Sequence, residues 1–415
     1  MMPVDTAESI ILSHARSLSS VQDLEYVPLT QVVGRVLGHA IESSLDFPHW
    51  DNSAMDGYAV RFEEVEQASP TNPVFLRITS EIPAGSIPSL VLSPGEAARI
   101  LTGSMMPIGA DTVVMQEKTE RTTGSNQLRL TEAPPEVGHF VRHRGRFYTA
   151  GDRLLSPGLV IGGAELAVLA AAQILSVPVF RRVCVGVLST GNELIQPDES
   201  LRPGQIVDSN QVALIALLQQ AGVEAVALGQ VQDDRKMLKS AMKQAIEQCD
   251  VVISSGGVSV GDYDYVEDLL EELGGTIQVR SIAIKPGKPL IFATFGQTLY
   301  FGLPGNPVSA LVTFWRFVLP AIKKCSGQSS NWGPHWTRAT SPIVLTADGR
   351  RESYLWGTLD RSDHTELMPI FRVAAGSSSS GNLINLAGSH ALGVIPIGTQ
   401  SIEAGDPFHV MLLPT

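Results

Sequence analysis

Residues 182–327 alternate between apolar runs and helical patterns, and this alternation limits the fold more than any other stretch. β-Rich runs such as RVCVGVLST and DVVISSGG are separated by helical segments such as SNQVALIALLQQAG and DRKMLKSAMKQAIEQC. Strands that alternate with helices of this length predict βαβ units and a parallel sheet. Ser209 or Asn210 is the predicted cap of one helix, and Pro320 is predicted to end or kink the helix that begins at Asn306-Pro307.

The segments on either side of this region are β-rich and irregular. Short strand candidates fill residues 45–150 and recur after residue 331, and Gly124-Ser125-Asn126 is a predicted hairpin turn. The segments before residue 45 do not form a core of their own. The sequence therefore predicts an α/β multidomain protein in which β-rich domains flank a central parallel sheet.

Composition excludes several classes of protein. The net charge of -12 over 415 residues disfavours nucleic acid as a partner, because phosphate binding needs a basic face. No apolar run reaches the roughly 20 residues needed to cross a bilayer, and the first residues lack a signal-peptide pattern. Cys184, Cys249 and Cys325 are scattered, which favours a reducing cytoplasm over a disulfide framework or a zinc site.

Glycines, acids and lysines gather where the predicted strands end. The loops are STGNEL (189–194), Asp233-Asp234, Gly256-Gly257, KPGKP (285–289) and GLPGNP (302–307). Ligands of open parallel sheets bind beyond the carboxyl ends of the strands, where glycines allow close approach and helix N-termini attract anions. Together these loops predict a phosphorylated ligand, and the neighbouring acids predict Mg²⁺.

Each of these features also has a simpler interpretation. Asp262 and Asp264 precede the helical segment VEDLLEEL, so they could serve only as helix caps. Asp56, in DNSAMDGYAV, could be a turn residue as readily as a ligand or a base. The lysines could be solvated surface residues. The nine histidines show no metal-binding spacing, and there is no GxSxG, P-loop or GxGxxG motif.

Six segments in order resemble the MoeA family of molybdopterin molybdenumtransferases and the related E domain of gephyrin. The segments are DNSAMDGYAV, LTGSMMPIGADTVVMQE, STGNEL, SSGGVSVGDYDY, IKPGKP and GLPGNPVSA. The resemblance implies a homodimer and a reaction in which adenylated molybdopterin and molybdate are joined and AMP leaves. It also implies four domains. We place them at 1–44 plus 150–181, at 45–149 (a β-rich insertion), at 182–330 (the molybdopterin-binding α/β domain) and at 331–415 (a C-terminal β-barrel-like domain).

The resemblance also implies roles for particular residues. The implied catalytic residues are Asp56, Glu193 and Asp264. The implied positions that bind the pterin and nucleotide are Thr102, Gly103, Thr190, Gly191, Asp208, Ser255, Gly256, Gly257, Pro304, Gly305, Asn306 and Pro307. The implied ligands of molybdate or phosphate are Lys285, Lys288 and Ser380. The implied Mg²⁺ ligands are Asp56, Asp233, Asp234 and Asp264.

Two positions depart from the family pattern. Arg146 and Phe147 stand where an acidic pair is usual, and Trp356 stands where an arginine often precedes glycine, although Arg350 or Arg351 could supply that charge. These departures leave open a non-catalytic molybdopterin-binding scaffold. The other rival function is molybdopterin adenylylation, which relatives that share the central domain perform, although the additional β-rich domains argue against it. An adenylyltransferase or a molybdoenzyme is an expected partner in the cytoplasm.

Overall fold

The computed structural model of the chain describes residues 1–89, 91–121, 124–257, 265–360, 368–377 and 381–414. The chain divides into two compact units. The first unit comprises Met1–His39, Pro157–Leu166 and Leu175–Thr415, and the second comprises Ala40–Ser156 and Ala167–Ile174. The four domain boundaries given above stay a prediction.

The amino-terminal part of the chain contributes elements to both units. Its helices are α1 (Val4–His14), α2 (Phe62–Val65) and α3 (Gly163–Ala171). Its strands are β1 (Leu24–Pro28), β2 (Ile41–Glu42), β3 (Asn52–Ser53), β4 (Gly57–Val60), β5 (Val74–Ile82), β6 (Glu96–Ile100), β7 (Thr112–Met115), β8 (Thr119–Arg121), β9 (Gln127–Leu130), β10 (Val141–Arg142), β11 (Arg153–Leu155) and β12 (Ser176–Phe180).

A six-stranded sheet in the order β7-β4-β6-β5-β9-β8 forms the core of the second unit. Successive residues of β4 point to opposite faces of the sheet, so Tyr58 and Val60 pack in one hydrophobic cluster and Ala59 packs in another. Both faces are therefore buried. β8 pairs antiparallel with β9, which confirms the predicted hairpin around Gly124-Ser125-Asn126.

The central part of the chain alternates strands and helices. Its elements are β13 (Cys184–Thr190), β14 (Leu194–Ile195), β15 (Ile206–Val207), α4 (Ser209–Gln220), β16 (Glu224–Val231), α5 (Arg235–Gln248), β17 (Val251–Ser255), α6 (Val266–Glu272), β18 (Thr276–Val279), β19 (Ile284–Lys285), β20 (Ile291–Phe295), β21 (Thr298–Leu303), α7 (Pro307–Thr313), the π-helical segment Phe314–Val318 and α8 (Leu319–Cys325).

These strands form a sheet in the order β16-β13-β17-β21-β20-β18. β16, β13, β17 and β21 are parallel, and β20 runs antiparallel to β21 and β18. β17 is buried along its whole length, as its continuous apolar run predicts for a strand covered on both faces. The predicted parallel sheet is confirmed, with an antiparallel strand near one edge.

The predicted cap of α4 is wrong, and of the two predicted effects of Pro320, ending or kinking its helix, the first is contradicted. Asp208, and neither Ser209 nor Asn210, caps α4, since its Oδ1 accepts a hydrogen bond from the backbone N–H of Gln211 at 3.0 Å. Pro320 does not end its helix. The chain passes from α7 through the π-helical segment into α8, and Pro320 occupies the first turn of α8, where its missing N–H costs least.

The carboxyl-terminal part of the chain is a β structure. Its strands are β22 (His335–Ala339), β23 (Leu345–Thr346), β24 (Glu352–Asp360), β25 (Ile370–Val373), β26 (Ala391–Ile395), β27 (Ser401–Ile402) and β28 (Phe408–Leu412). The main sheet has the order β19-β24-β26-β28-β22, and β25 pairs with β24 on the side. β19 comes before β20 and β21 along the chain, but it pairs with β24 and so belongs to the carboxyl-terminal sheet. Barrel-like closure of this sheet stays a prediction.

Trp356, one of the two departures from the family pattern, is a core residue of β24. Its side chain is fully buried in the same hydrophobic cluster as α1, β13 and α7. The large indole therefore fills the core of the first unit. It does not offer a charge to a ligand.

A buried polar network connects α1, the π-helical segment and β24. Arg316 is 3% exposed, and its guanidinium donates to both carboxylate oxygens of Glu8 and, at 3.1 Å, to the hydroxyl of Tyr354. Tyr354 in turn donates to Glu352. Burial raises the pKa of Glu352, although the Tyr354 hydroxyl and Arg316 act in the opposite direction.

Replacing Glu352 by Gln is expected to raise the melting temperature at about pH 7. The pKa of Glu352 is higher in the folded state, so the protonated carboxyl favours folding. That stability is lost as the pH rises through the folded-state pKa, whereas the neutral amide of Gln keeps it. The difference between variant and wild type should vanish at about pH 3, below the ordinary pKa of a glutamate. Thermal unfolding across pH measures this, with the exposed Glu136→Gln as control. A lower melting temperature for Glu352→Gln at neutral pH contradicts it.

Candidate functional site

The loops singled out in the sequence meet at one edge of the central sheet. Because β16, β13, β17 and β21 are parallel, residues 232–234, 191–193, 256–257 and 304–307 all follow carboxyl ends of strands at that edge. β20 runs the other way and begins opposite Gly302, so the KPGKP loop before it reaches the same edge. This is the edge at which ligands of open α/β sheets bind.

Gly256 and Gly257 pack against Thr190 at the centre of this edge. Their φ angles are 92° and 66°, a region that side chains rarely adopt. A Cβ atom on Gly256 would lie 2.5 Å from the carbonyl oxygen of Thr190, and one on Gly257 would lie 2.9 Å from its hydroxyl oxygen. That hydroxyl is buried and has no hydrogen-bond partner within the described ranges. The loop after β17 therefore requires glycine and leaves a polar atom unsatisfied beside it.

Asn210 joins two of the loops. Its amide nitrogen donates to the hydroxyl of Ser255 at 2.7 Å and to the carbonyl oxygen of Gly305 at 2.9 Å. The sequence interpretation missed this role because it treated Asn210 only as a helix cap. Asp208 carries the cap, is 3% exposed, and keeps its Oδ2 buried without a partner among the described residues. Asp208 lies just before α4 and Thr190 lies at the end of β13. Each has a buried side-chain oxygen with no hydrogen-bond partner among the described residues.

Asp233 and Asp234 have different roles. Asp233 exchanges two hydrogen bonds with Asn192: the Asn192 N–H donates to its carboxylate at 3.2 Å, and its own N–H donates to the Asn192 side chain at 3.0 Å. Asp234 caps α5 by accepting from the N–H groups of Lys236 and Met237. Asp233 is therefore the acid joined to the STGNEL loop, where the carboxylate of Glu193 folds back over Gly191. Asn192 was missed, although it lies between two residues that were singled out.

The predicted magnesium ligands are Asp56, Asp233, Asp234 and Asp264. Asp264, with Asp262 beside it, and the predicted anion ligand Ser380 lie outside the described residues. In the ranges that the structure describes, no group of three or more histidine, cysteine, aspartate or glutamate residues could hold a metal. Mg²⁺ commonly takes one or two carboxylates together with phosphate oxygens and water. Glu193 and Asp233 supply two carboxylates on adjoining loops, so the donor set fits that chemistry.

Lys285 and Lys288 occupy different environments. Lys285 lies on β19, and its ammonium is 3.8 Å from the carboxylate of Asp348, which also pairs with Arg351 at 3.0 Å. The Arg350 N–H and Arg351 lower the pKa of Asp348, so this carboxylate is ionised at neutral pH. Lys288 is exposed in the loop before β20. Lys288 is thus exposed near the sheet edge, whereas the ammonium of Lys285 already faces a carboxylate.

Asp56 and Thr102 form a separate cluster in the second unit. The carboxylate Oδ1 of Asp56 accepts hydrogen bonds from both the N–H and the hydroxyl of Thr102, each at 2.7 Å. These two bonds lower the pKa of Asp56, with a smaller contribution from Arg99. Gly103, with φ of 82°, turns the chain so that its N–H reaches the carbonyl oxygen of Ser53 at 2.8 Å. The cluster presents an ionised carboxylate whose position is fixed.

Arg146 and Phe147, the other departure from the family pattern, lie on the surface of the second unit. Phe147 is 61% exposed, and its ring centroid is 5.8 Å from that of Phe47. Both residues are accessible to solvent in this unit. Arg146 and Phe147 therefore present a basic and an aromatic side chain to solvent.

Matches to known proteins cover nearly the whole length of the chain. Residues 2–172 match the MoeA N-terminal region (domains I and II), residues 186–324 match the probable molybdopterin binding domain, and residues 338–413 match the MoeA C-terminal region (domain IV). A molybdopterin molybdenumtransferase of Nostoc sp. is 49% identical over 413 residues, which cover 99% of this chain and 93% of the relative. The chain belongs to the MoeA family.

Other MoeA family members extend this similarity. A molybdopterin molybdenumtransferase of Bacillus subtilis is 32% identical over 393 residues, covering 94% of this chain and 90% of the relative. The crystal structure of a MoeA molybdopterin biosynthesis protein from Pyrococcus horikoshii superposes with a TM-score of 0.84 at 28% identity, covering 99% of this chain and 100% of that one. The resemblance inferred from six sequence segments is confirmed.

No helix in the described parts of this MoeA family chain is long and apolar enough to cross a membrane. The departures at Phe147 and Trp356 occur within a chain that matches the family over nearly its whole length. Phe147 lies in the part that matches the MoeA N-terminal region, and Trp356 lies in the part that matches the MoeA C-terminal region.

Proposed function

We propose that this protein inserts molybdate into adenylated molybdopterin. In that reaction the phosphoanhydride bond is cleaved, AMP leaves, and molybdenum is bound by the dithiolene of the pterin. The observation that carries the proposal is the convergence of glycine loops, acids and Lys288 at the carboxyl edge of a parallel sheet, in a chain that belongs to a family of molybdopterin molybdenumtransferases.

The loops at the sheet edge suit the two halves of an adenylated pterin. Glycine at positions 256 and 257 places no side chain between the backbone and a phosphate, and loop N–H groups would stabilise the negative charge of phosphoanhydride oxygens. These groups would hold the nucleotide half in place while the bond to AMP breaks.

Two acids at the edge of the central sheet are proposed to act around that phosphoanhydride. Glu193 and Asp233 would hold Mg²⁺, which neutralises charge on phosphate oxygens when bound. Asp234 is occupied as a helix cap, so we assign it a supporting role. Asp56 keeps its carboxylate ionised and fixed by Thr102, which suits a group that binds a cation or accepts a proton.

Replacing Lys288 by Ala is expected to raise the molybdate concentration needed for half-maximal turnover about tenfold, because an exposed ammonium would be lost from the oxyanion site. Lys285→Ala should have a smaller effect, since that ammonium already faces Asp348. Separate titrations of molybdate and of adenylated molybdopterin measure this, with Lys243→Ala on α5 as control. Weaker binding of the pterin with unchanged molybdate dependence would instead assign Lys288 to phosphate.

The proposed assembly is a homodimer in the cytoplasm. An isologous dimer is the commonest closed assembly of a soluble chain, and the scattered, unpaired cysteines suit a reducing compartment. Light scattering at micromolar concentration should give twice the mass of the 44.4 kDa chain. A monomer mass would contradict the dimer but leave the proposed chemistry standing. An adenylyltransferase that supplies the substrate and a molybdoenzyme that receives the product are the proposed partners.

A further inference from the structure

Cys184 and Cys249 lie side by side in the first unit, at the amino ends of two neighbouring strands of the central sheet. Cys184 begins β13, and Cys249 directly follows α5. The N–H of Asp250, the residue before β17, donates to the carbonyl oxygen of Cys184 at 3.0 Å. The loops of the candidate functional site follow the carboxyl ends of the same strands, about 20 Å away along β13. The two cysteines therefore lie at the opposite edge of the sheet.

The side chains of both cysteines lie on the same face of the sheet. Cys249 is buried in the hydrophobic cluster that α5 and α6 form on this face, and the half-buried Cys184 packs against that cluster. Gly186 lies two residues after Cys184, so a Cβ atom there would stand on the same face, and it would lie 2.9 Å from the Sγ atom of Cys249. The two thiols form a hydrogen bond with each other. The structure therefore contains a dithiol, of which one member reaches solvent.

The surroundings of this dithiol offer it no third ligand. In the part of the chain that the structure describes, no group of three or more histidine, cysteine, aspartate or glutamate residues could hold a metal. The nearby carboxylate of Asp250 is engaged, because both of its oxygens accept from Arg181 and one also accepts from the N–H of Cys184. Structural Zn²⁺ takes four ligands, so this site does not suit it. Soft thiolate ligands select Cu⁺.

We propose that Cys184 and Cys249 form a binding site for the soft monovalent cation Cu⁺, with one bond from each sulfur atom. Binding replaces two S–H bonds by two Cu–S bonds, releases two protons to solvent and changes no oxidation state. A disulfide between the same cysteines is the alternative. Burial raises the pKa of both thiols, to about 12 for Cys249, so little thiolate is present to attack an oxidant.

Anaerobic competition with the chromophoric Cu⁺ chelator bicinchoninate tests this site in the full chain. The wild type should withdraw one equivalent of Cu⁺ from the chelator. Cys184→Ala and Cys249→Ala should each lower the affinity at least about hundredfold, because one of two metal–sulfur bonds is lost. Cys325→Ala is the matched control, since Cys325 is buried in a different hydrophobic cluster, and it should bind Cu⁺ as the wild type does.

The pH dependence of Cu⁺ binding reports how many thiols take part. Because two protons leave, the affinity should rise about hundredfold for each pH unit between about pH 6 and pH 8. The charged side chains that act on the two thiols are Glu224, Asp250 and Arg181, with no histidine among them in the described residues. The released protons therefore come from the thiols. Zn²⁺ should bind at least about hundredfold more weakly than Cu⁺.

Four outcomes would overturn the proposal. They are no withdrawal of Cu⁺ from bicinchoninate, unchanged affinity in folded Cys184→Ala, an equal loss in Cys325→Ala, and a change of only about tenfold per pH unit, which would indicate a single thiolate. Thermal unfolding shows whether each variant is folded. Rapid loss of both free thiols on addition of hydrogen peroxide, without any binding of Cu⁺, would assign the pair to a disulfide instead.

Discussion

Replacing Asp56 by Asn is expected to reduce AMP release at least about hundredfold while the fold is retained. The amide keeps the shape of the carboxylate, and its oxygen can still accept from the N–H and the hydroxyl of Thr102. What the variant loses is the negative charge. Since hydrogen bonds from Thr102 lower the pKa of Asp56, that charge is present across the neutral range in the wild type. Steady-state assay of AMP release measures the loss.

Asp51→Asn is the control for this prediction. Asp51 belongs to the same sequence segment as Asp56, and its carboxylate accepts hydrogen bonds from His143 and from the backbone N–H of Arg144. The substitution removes the same charge from a neighbouring acid that has no assigned role in the reaction. Near wild-type turnover of Asp56→Asn, or an equal loss in Asp51→Asn, would remove Asp56 from the mechanism.

Gly256→Ala is expected to have the second large effect, a loss of about 2–5 kcal/mol of unfolding free energy together with loss of AMP release. The new Cβ atom would lie 2.5 Å from the carbonyl oxygen of Thr190, which is backbone and cannot swing away. The φ angle of 92° adds a cost that any side chain bears. The loops after β13 and β17 would have to separate, which would disturb the proposed phosphoanhydride site. Chemical denaturation and the AMP assay measure the two effects.

Gly274→Ala separates backbone strain from the steric clash. Gly274 has a similar φ of 87°, and no atom lies within 4 Å of the position where its Cβ would stand. The variant should lose only the strain contribution, about 1 kcal/mol, and keep its AMP release. If both variants lose equal stability and Gly256→Ala keeps its activity, the close approach at Thr190 has no part in the site.

The alternating pattern of residues 182–327 was sufficient to predict the central sheet. Apolar runs such as Val251-Val252-Ile253, alternating with helical segments, are typical of parallel strands covered by helices on both faces, so composition and order along the chain indicate the architecture. The same order placed the glycine and acid loops at one edge. Lys285 was harder to place, because β19 joins a sheet whose other strands come from residues 335–412. Such long-range pairing leaves no local trace in the sequence.

The roles of individual polar residues were less accessible to prediction. Asn210 and Asp208 are both ordinary helix caps by type, and only the structure shows that Asp208 caps α4 while Asn210 links Ser255 to Gly305. Asp233 and Asp234 are adjacent and identical, so their division into loop partner and helix cap depends on where α5 begins.

Incubation of the purified protein with adenylated molybdopterin, Mg²⁺ and molybdate tests the central claim most directly. The account predicts AMP release that depends on molybdate and is accompanied by formation of molybdenum cofactor. Tight binding of the adenylated pterin without turnover would contradict it in favour of a scaffold. Formation of adenylated molybdopterin from ATP and molybdopterin, with no dependence on molybdate, would contradict it in favour of an adenylyltransferase.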